Sequence, residues 1–251
     1  MLAIERRQQI IKILHRDKKV YVPALAKEFS VTEETIRRDL EKLEKEKVLH
    51  RSYGGAVLTE QTSEDVSFIN RTIRNNPEKT AIAKKAINLI NDGDTLMTDS
   101  STTCLTLLHY LQQKKDITII TNSISIFSTF LNSPFHIIST GGILRSHAFA
   151  LVGEPACDTL KKYYVDYAII SCKSLHLKNG IMESNEAESV VKRTMMGQAQ
   201  KTILLADHTK FNKTAFIKTC DLTAIHCILT DEEPDKEWLE YLQEHQIDII
   251  Y

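Results

Sequence analysis

The 251-residue sequence lacks any apolar run approaching the length that crosses a bilayer. Its first ten residues, MLAIERRQQI, carry charge where a secretory leader needs an apolar centre, so a cytoplasmic protein with no membrane partner is expected. Five cysteines, at 104, 157, 172, 220 and 227, form an odd set without a CxxC pair. That set argues against a disulfide framework or a cysteine zinc cluster. There is no repeat of short fixed period and no low-complexity tract. Net charge is also close to absent, at a formal −1.

What is present is unevenly spread. Residues 1–58 hold 13 Lys and Arg against 9 Asp and Glu, and the remainder holds 19 against 24. A basic head on an acidic body is the asymmetry expected when one end meets a polyanion. Hydrophobic residues make up 42% of the chain, enough for a sizeable core.

The head reads as three short helices and a hairpin. Ile10, Ile13 and Leu14 share one face of a helix over residues 2–15. Pro23 suits the first turn of a second helix, VPALAKEF. Ser30 and Val31 turn the chain, Thr32 caps a third helix, and Glu33 and Glu34 occupy its first turn. Ile36, Leu40 and Leu43 mark its buried stripe, and residues 48–58 turn back on themselves at Gly54-Gly55. This is the pattern of a winged helix-turn-helix, whose third helix enters the DNA major groove. With that stripe inward, Thr35, Arg38 and Lys42 face outward, and Arg37 lies on a flank. Arginine reads guanine through paired hydrogen bonds or grips phosphate. Arg51 and Tyr53 in the wing are placed to reach the DNA backbone or a minor groove. Glu41, Glu44 and Glu46 read as intrahelical partners of Lys42 and Lys45. Asp39 would repel phosphate, so a structural role, fixing an arginine or capping an element, is expected for it.

These residues resemble the DeoR family of bacterial regulators. Arg6, Ile10 and Leu14, then Thr32, Thr35, Ile36, Arg37, Arg38, Asp39 and Leu40, stand at the family's spacing. RSYGG resembles its wing, with Tyr53 in place of a histidine. The resemblance continues through RTIRNNPEKTAIAKKA, DGDTLMTDSSTT, TNS, STGGIL, LVGEPA, NEAESVVKR and LADHTKF. It implies a sensor domain related to sugar-phosphate isomerases that binds a phosphorylated sugar. Repression of a carbohydrate-catabolic operon, with release from operator DNA by that sugar, follows as the expected function.

The residues beyond 59 support such a domain on their own. TLMTD, ITIIT, FHIIST, VDYAIIS, TILLA, IHCIL and IDIIY are short apolar runs that alternate with helical segments, as in a mostly parallel α/β sheet. We therefore expect a winged helix-turn-helix over 1–58, a polar linker over 59–74 and a Rossmann-like α/β sensor over 75–251. Candidate ligand groups cluster where strands end. Asp99, Ser100, Ser101, Thr102 and Thr103 open a helix and offer N–H groups and hydroxyls to an anion. Thr121, Asn122, Gly141 and Gly142 follow the next two strands. Lys173, Glu188, Asp207 and Lys210 follow later ones, the lysines suited to phosphate and the carboxylates to sugar hydroxyls. Ser101 stands where the family usually has glycine, which allows positive φ.

A rival reading is a working isomerase with an appended DNA-binding domain, because Glu188, Asp207, Lys173 and Lys192 are residue types that supply a base and an enediolate stabiliser. A third is an architectural DNA binder blind to ligand. No metal-ligand spacing emerges and no cofactor is implied, so a non-enzymatic regulator is expected. One helix-turn-helix reads one half-site, so a homodimer or homotetramer on repeated half-sites of double-stranded DNA is expected.

Overall fold

The computed structural model describes residues 2–17, 19–45, 48–58, 62–63 and 65–251. Contacts divide the chain into two compact units, residues 1–66 and 67–251. Among the described residues no helix is long and apolar enough to cross a membrane.

In the first unit α1 (Ala3–Asp17), β1 (Lys19–Tyr21), α2 (Val22–Glu28) and α3 (Glu33–Lys45) precede the hairpin of β2 (Leu49–Ser52) and β3 (Gly55–Leu58). Ile10, Leu14, Leu25, Ile36, Leu40 and Leu43 are fully buried together, so the stripes read from spacing form its core. The hairpin is not alone: β1 pairs antiparallel with β3, giving a three-stranded sheet. That pairing requires a glycine, because a Cβ on Gly55 would collide with the Val20 carbonyl oxygen.

The second unit begins with α4 (Phe68–Ile73) and α5 (Asn76–Ala86). Alternation follows: β4 (Thr95–Thr98), α6 (Thr102–Leu111), β5 (Thr118–Thr121), α7 (Ile124–Thr129) and β6 (His136–Ser139). A hairpin of β7 (Ile143–Arg145) and β8 (Ala150–Val152) leads to α8 (Glu154–Leu160) and β9 (Val165–Ser171). Then come β10 (Ser174–His176), β11 (Gly180–Glu183), α9 (Glu186–Met196), β12 (Ala199–Leu205), β13 (Ile217–Cys220), β14 (Cys227–Leu229), α10 (Lys236–Glu244) and β15 (Asp248–Ile250).

Every apolar run singled out in the sequence becomes a strand of one seven-stranded sheet, ordered β15-β14-β12-β9-β4-β5-β6. All its pairings are parallel. Successive residues alternate between two cores. Met97, Ile170 and Leu204 pack with α8, α9 and α10, and Leu96, Ile169 and Ile203 pack with α5, α6 and α7. The small sheets, β7-β8 and β10-β11-β13, are additions that the run pattern does not announce. The stretch 59–74 read as linker is only partly so: residues 68–73 form α4, capped by Ser67 and buried at Phe68, while residues 59–61 and 64 lie outside the described residues.

The sheet order marks a candidate position for a site. From β4 the chain winds one way to β5 and β6, and from β9 the other way to β12, β14 and β15. The winding reverses between β4 and β9, and in open α/β sheets ligands enter the crevice beyond the carboxyl ends at such a point.

Candidate nucleic-acid interface and ligand crevice

The first unit presents α3 as anticipated. The Thr32 hydroxyl accepts from the Thr35 N–H at 3.2 Å and lies 2.9 Å from the Thr35 hydroxyl, so both threonines build the helix start. Arg37 and Arg38 are exposed and held loosely by Glu33 and Glu34 one turn earlier, at 2.6 and 3.3 Å. Exposed pairs of this kind contribute only about 0.3–0.5 kcal/mol, so both guanidinium groups are held weakly. Lys42 is exposed on the same helix, and Tyr53 at the wing tip is fully exposed. Asp39 is buried against Arg6 and Arg7 on α1.

One charge assignment changes. Lys45 pairs with Glu41 as expected, at 2.8 Å. Glu44, however, leaves the helix ladder: it accepts from the Arg51 backbone and guanidinium at 2.9 and 2.7 Å. The chain reverses after α3 and brings β2 alongside it, a proximity invisible to i,i+4 counting. Arg51 is therefore braced within the wing. Glu46 lies outside the described residues.

In the second unit the loop after β4 is built from its own side chains. Ser101 caps α6, accepting from the Cys104 N–H at 3.1 Å, with φ −75°. The glycine position of the resemblance therefore needs no positive φ here, and serine fits without strain. Asp99 is buried and accepts from the Ser101 and Ser171 N–H groups at 2.9 and 3.0 Å. Its Oδ2 also lies 3.0 Å from the Lys192 ammonium. Burial alone would raise this carboxyl, but Lys192 and the two donors outweigh it and hold Asp99 below its ordinary value. Lys192 also donates to Glu183 and, at 2.6 Å, to the Ser171 carbonyl. These groups stitch the ends of β4 and β9 together across the winding reversal.

Around that stitch stand the other charged groups. Glu188, near the start of α9, pairs with Arg145 of β7 at 2.9 Å. Burial, then the Glu183 charge, raises the Glu188 carboxyl against the pull of Lys192, Arg71 and Arg145. Asp207 is buried and accepts from the Thr209 N–H at 3.1 Å, from the Thr209 hydroxyl and from the Asn75 amide at 3.0 Å. Burial opposes its ionisation, and Lys210 with these donors lowers it nonetheless. Lys79 is buried, donates to the Arg71 and Arg74 carbonyls, and is pulled down to about 8 by burial and by the nearby Lys210 charge. The Thr102 hydroxyl donates to the Arg71 carbonyl at 3.3 Å. Ser171 and Leu205 pair at the ends of the parallel strands β9 and β12, so the loops after them begin side by side, and burial raises the Cys172 thiol there.

Of the candidates, Asp99 shares the Lys192 ammonium with Glu183, Thr102 reaches the Arg71 carbonyl, Glu188 pairs with Arg145, Asp207 meets Asn75 and Thr209, Ser100, Ser101 and Thr103 are buried at the turn into α6, and the Lys173 N–H donates to the Met182 carbonyl. Thr121, Asn122, Gly141 and Gly142 have local contacts of their own. The Thr121 hydroxyl is fully buried, donating to the Thr98 carbonyl and accepting from the Ser123 N–H. The Asn122 amide donates to the Leu151 carbonyl at 3.0 Å, leaving a buried Oδ1 that accepts nothing. Gly141 and Gly142 adopt φ +62° and +119°, and a Cβ on Gly142 would fall 2.7 Å from the Val152 carbonyl oxygen. These residues seat the β7-β8 hairpin, which carries Arg145 to Glu188.

Sequence reading missed Asn75, Lys79, Arg71, Arg74 and Arg145. The density of cations in RTIRNNPEK was the available signal. It also missed that His208, Asp231 and Glu232 come together, with donor atoms within 4.8 Å. Both Asp231 oxygens are taken by His208, through its ring and its backbone N–H, each at 2.7 Å, which accounts for the grouping as an ion pair between two strand-end loops.

Comparison with known proteins agrees with this division. The DeoR-like helix-turn-helix domain matches residues 6–62, and the DeoR C terminal sensor domain matches residues 74–232. A Bacillus subtilis protein described as the uncharacterized HTH-type transcriptional regulator YulB is 37% identical over 250 residues, covering 99% of this chain and 96% of its own. The glycerol-3-phosphate regulon repressor of Escherichia coli K12 is 28% identical over 250 residues, 99% of each chain. Among solved structures, a D-ribose-5-phosphate isomerase in complex with phospho-erythronic acid aligns over 53% of this chain and 52% of its own, at 16% identity and a TM-score of 0.40.

Proposed function

The chain belongs to the DeoR family of DNA-binding transcriptional regulators, and on that premise we propose that it represses a carbohydrate-catabolic operon and is released when a phosphorylated sugar enters the crevice between β4 and β9. One observation carries the reading. The start of α6 lies at the winding reversal, where the Thr102 hydroxyl donates to the Arg71 carbonyl that also receives Lys79, itself near the Lys210 charge. A helix N-terminus and several cations beside buried carboxylates suit a ligand with a phosphate at one end and hydroxyls at the other. The relative named for the glycerol-3-phosphate regulon supports the same ligand class.

The roles divide accordingly. Ser100 to Thr103, Lys173 and Lys210 hold the phosphate. Glu188 and Asp207 meet hydroxyls. Asp99, already engaged by Lys192, shapes the loop rather than touching the sugar. On α3, Arg37, Arg38 and Lys42 read the operator, with Thr32 and Thr35 presenting the helix start and Arg51 and Tyr53 the wing. A thermal-shift screen of pentose, hexose and triose phosphates on the whole protein tests the sensor. A hit should weaken binding to DNA from upstream of the chain's own operon, and that response should disappear in Lys210→Ala. No stabilisation by any sugar phosphate would overturn the reading.

Turnover is the second reading, favoured by the raised Glu188 carboxyl, since a poised buried carboxylate suits proton abstraction. The Arg145 ion pair already occupies that group. We infer sensing without turnover, and incubation with ribose 5-phosphate should yield no ketose product.

A further inference from the structure

The turn joining α4 to α5 receives bonds from both sides of the crevice. The Thr102 hydroxyl donates to the Arg71 carbonyl. Lys79 reaches back to the Arg71 and Arg74 carbonyls and closes the end of α4. Asn75, in the left-handed region at φ 50° and ψ 42°, donates its amide to Asp207 Oδ1 and to the Thr209 hydroxyl oxygen, both at 3.0 Å. Asp207 Oδ1 therefore accepts from three donors: the Thr209 N–H, the Thr209 hydroxyl and Asn75. A carboxylate oxygen has about two lone-pair sites, so this arrangement is oversubscribed. Any ligand oxygen that accepts from Thr209 or Lys210 will redistribute those donors, and Asn75 is the one that belongs to another segment. That segment matters because α4 is the first element after Val66, where the DNA-binding unit ends.

We propose that Asn75 is the positioning residue through which occupancy of the Asp207–Lys210 loop passes to α4, and so to the chain leading into the DNA-binding unit. The inference rests on the sensor reading above. It assigns Asn75 no contact with the ligand. Its amide is the strut between the loop that meets the anion and the helix that leads out of the sensor. Asn75 serves because asparagine tolerates the left-handed conformation while carrying a donor.

Hydrogen exchange of the full chain, with inorganic phosphate as the probe, tests it. In the unmodified protein phosphate should slow exchange in residues 207–211 and in residues 68–79 with one midpoint. Asn75→Gly keeps the backbone conformation and removes the amide. Protection of 207–211 should survive there with its midpoint retained, and protection of 68–79 should be lost. Asn75→Asp, which turns an acceptor toward Asp207, should lose it too. Protection of 68–79 that persists in both variants alongside a responding loop would overturn the coupling and leave the sensor reading intact. Absence of protection at 207–211 in the unmodified protein would sink the sensor reading and this inference with it.

Discussion

Arg6 Nε lies 2.5 Å from Asp39 Oδ2, both side chains buried, and Arg7 approaches the other carboxylate oxygen at 3.4 Å. An acidic residue in the middle of α3 thereby becomes the tie that holds α3 to α1. Removing one partner of a buried pair leaves an uncompensated charge and costs about 3–5 kcal/mol. Asp39→Ala should lower the stability of the first unit by that order, read by denaturant unfolding of the whole protein. Exchange in the sheet of the second unit should not change.

Operator recognition separates by residue. Arg37→Ala or Arg38→Ala should cost about 1–3 kcal/mol at a cognate site and relax specificity if the lost contact is to a base. Lys42→Ala should weaken binding evenly and reduce the salt slope by about 1. Glu33 and Glu34 now hold the arginines, so Glu33→Ala should tighten non-specific binding. Unchanged operator affinity in both arginine variants would remove α3 as the reading helix. Fluorescence anisotropy across a salt series measures all three.

Lys79 gives a pH signature. The unfolded chain keeps its proton up to 10.5, and the folded chain only up to about 8, because burial and the Lys210 charge disfavour the ammonium. Between those values the unfolded state binds more protons, so stability rises with pH. Relative to Lys79→Met, the unmodified protein should gain up to roughly 3 kcal/mol across that interval, one pKa unit being about 1.4 kcal/mol. Parallel slopes for the two proteins in denaturant titrations at stepped pH would show that Lys79 is not the titrating group.

Release should obey linkage. A sugar phosphate shifts operator affinity only by its preference between the DNA-free and DNA-bound forms, typically about 1–3 kcal/mol or roughly 5–150-fold. By reciprocity, operator DNA should weaken sugar-phosphate binding by the same factor, measurable by calorimetry with and without the DNA. Sugar-phosphate affinity unchanged by operator DNA would mean that the ligand does not drive release.

Assembly is testable in the same preparations. A half-site reader needs a second copy to gain specificity. The second unit carries exposed Ile143 and Leu144 on the β7-β8 hairpin, with exposed Leu131, Tyr164 and Phe216 elsewhere. Sedimentation of the full chain at micromolar concentration should show a dimer or tetramer, and a strict monomer would contradict the proposal.

The local features were legible because they repeat at the period of their element. The Ile36, Leu40 and Leu43 stripe, the Thr32 cap and the seven apolar runs could each be read within a dozen residues, and each stands where the spacing placed it. The resemblance supplied what spacing does not, namely which loops to propose as one site. What only the tertiary structure decided was which donor meets each carboxylate. Asp99 is engaged by Lys192, Glu188 by Arg145, Glu44 by Arg51 and Asp207 by Asn75. The last two partners are 132 residues apart in the chain. No periodicity encodes such a meeting. It follows from which strand ends lie side by side in the sheet and from the cost of burying a carboxylate without a donor, which leaves each one to be satisfied by whatever the fold brings within reach.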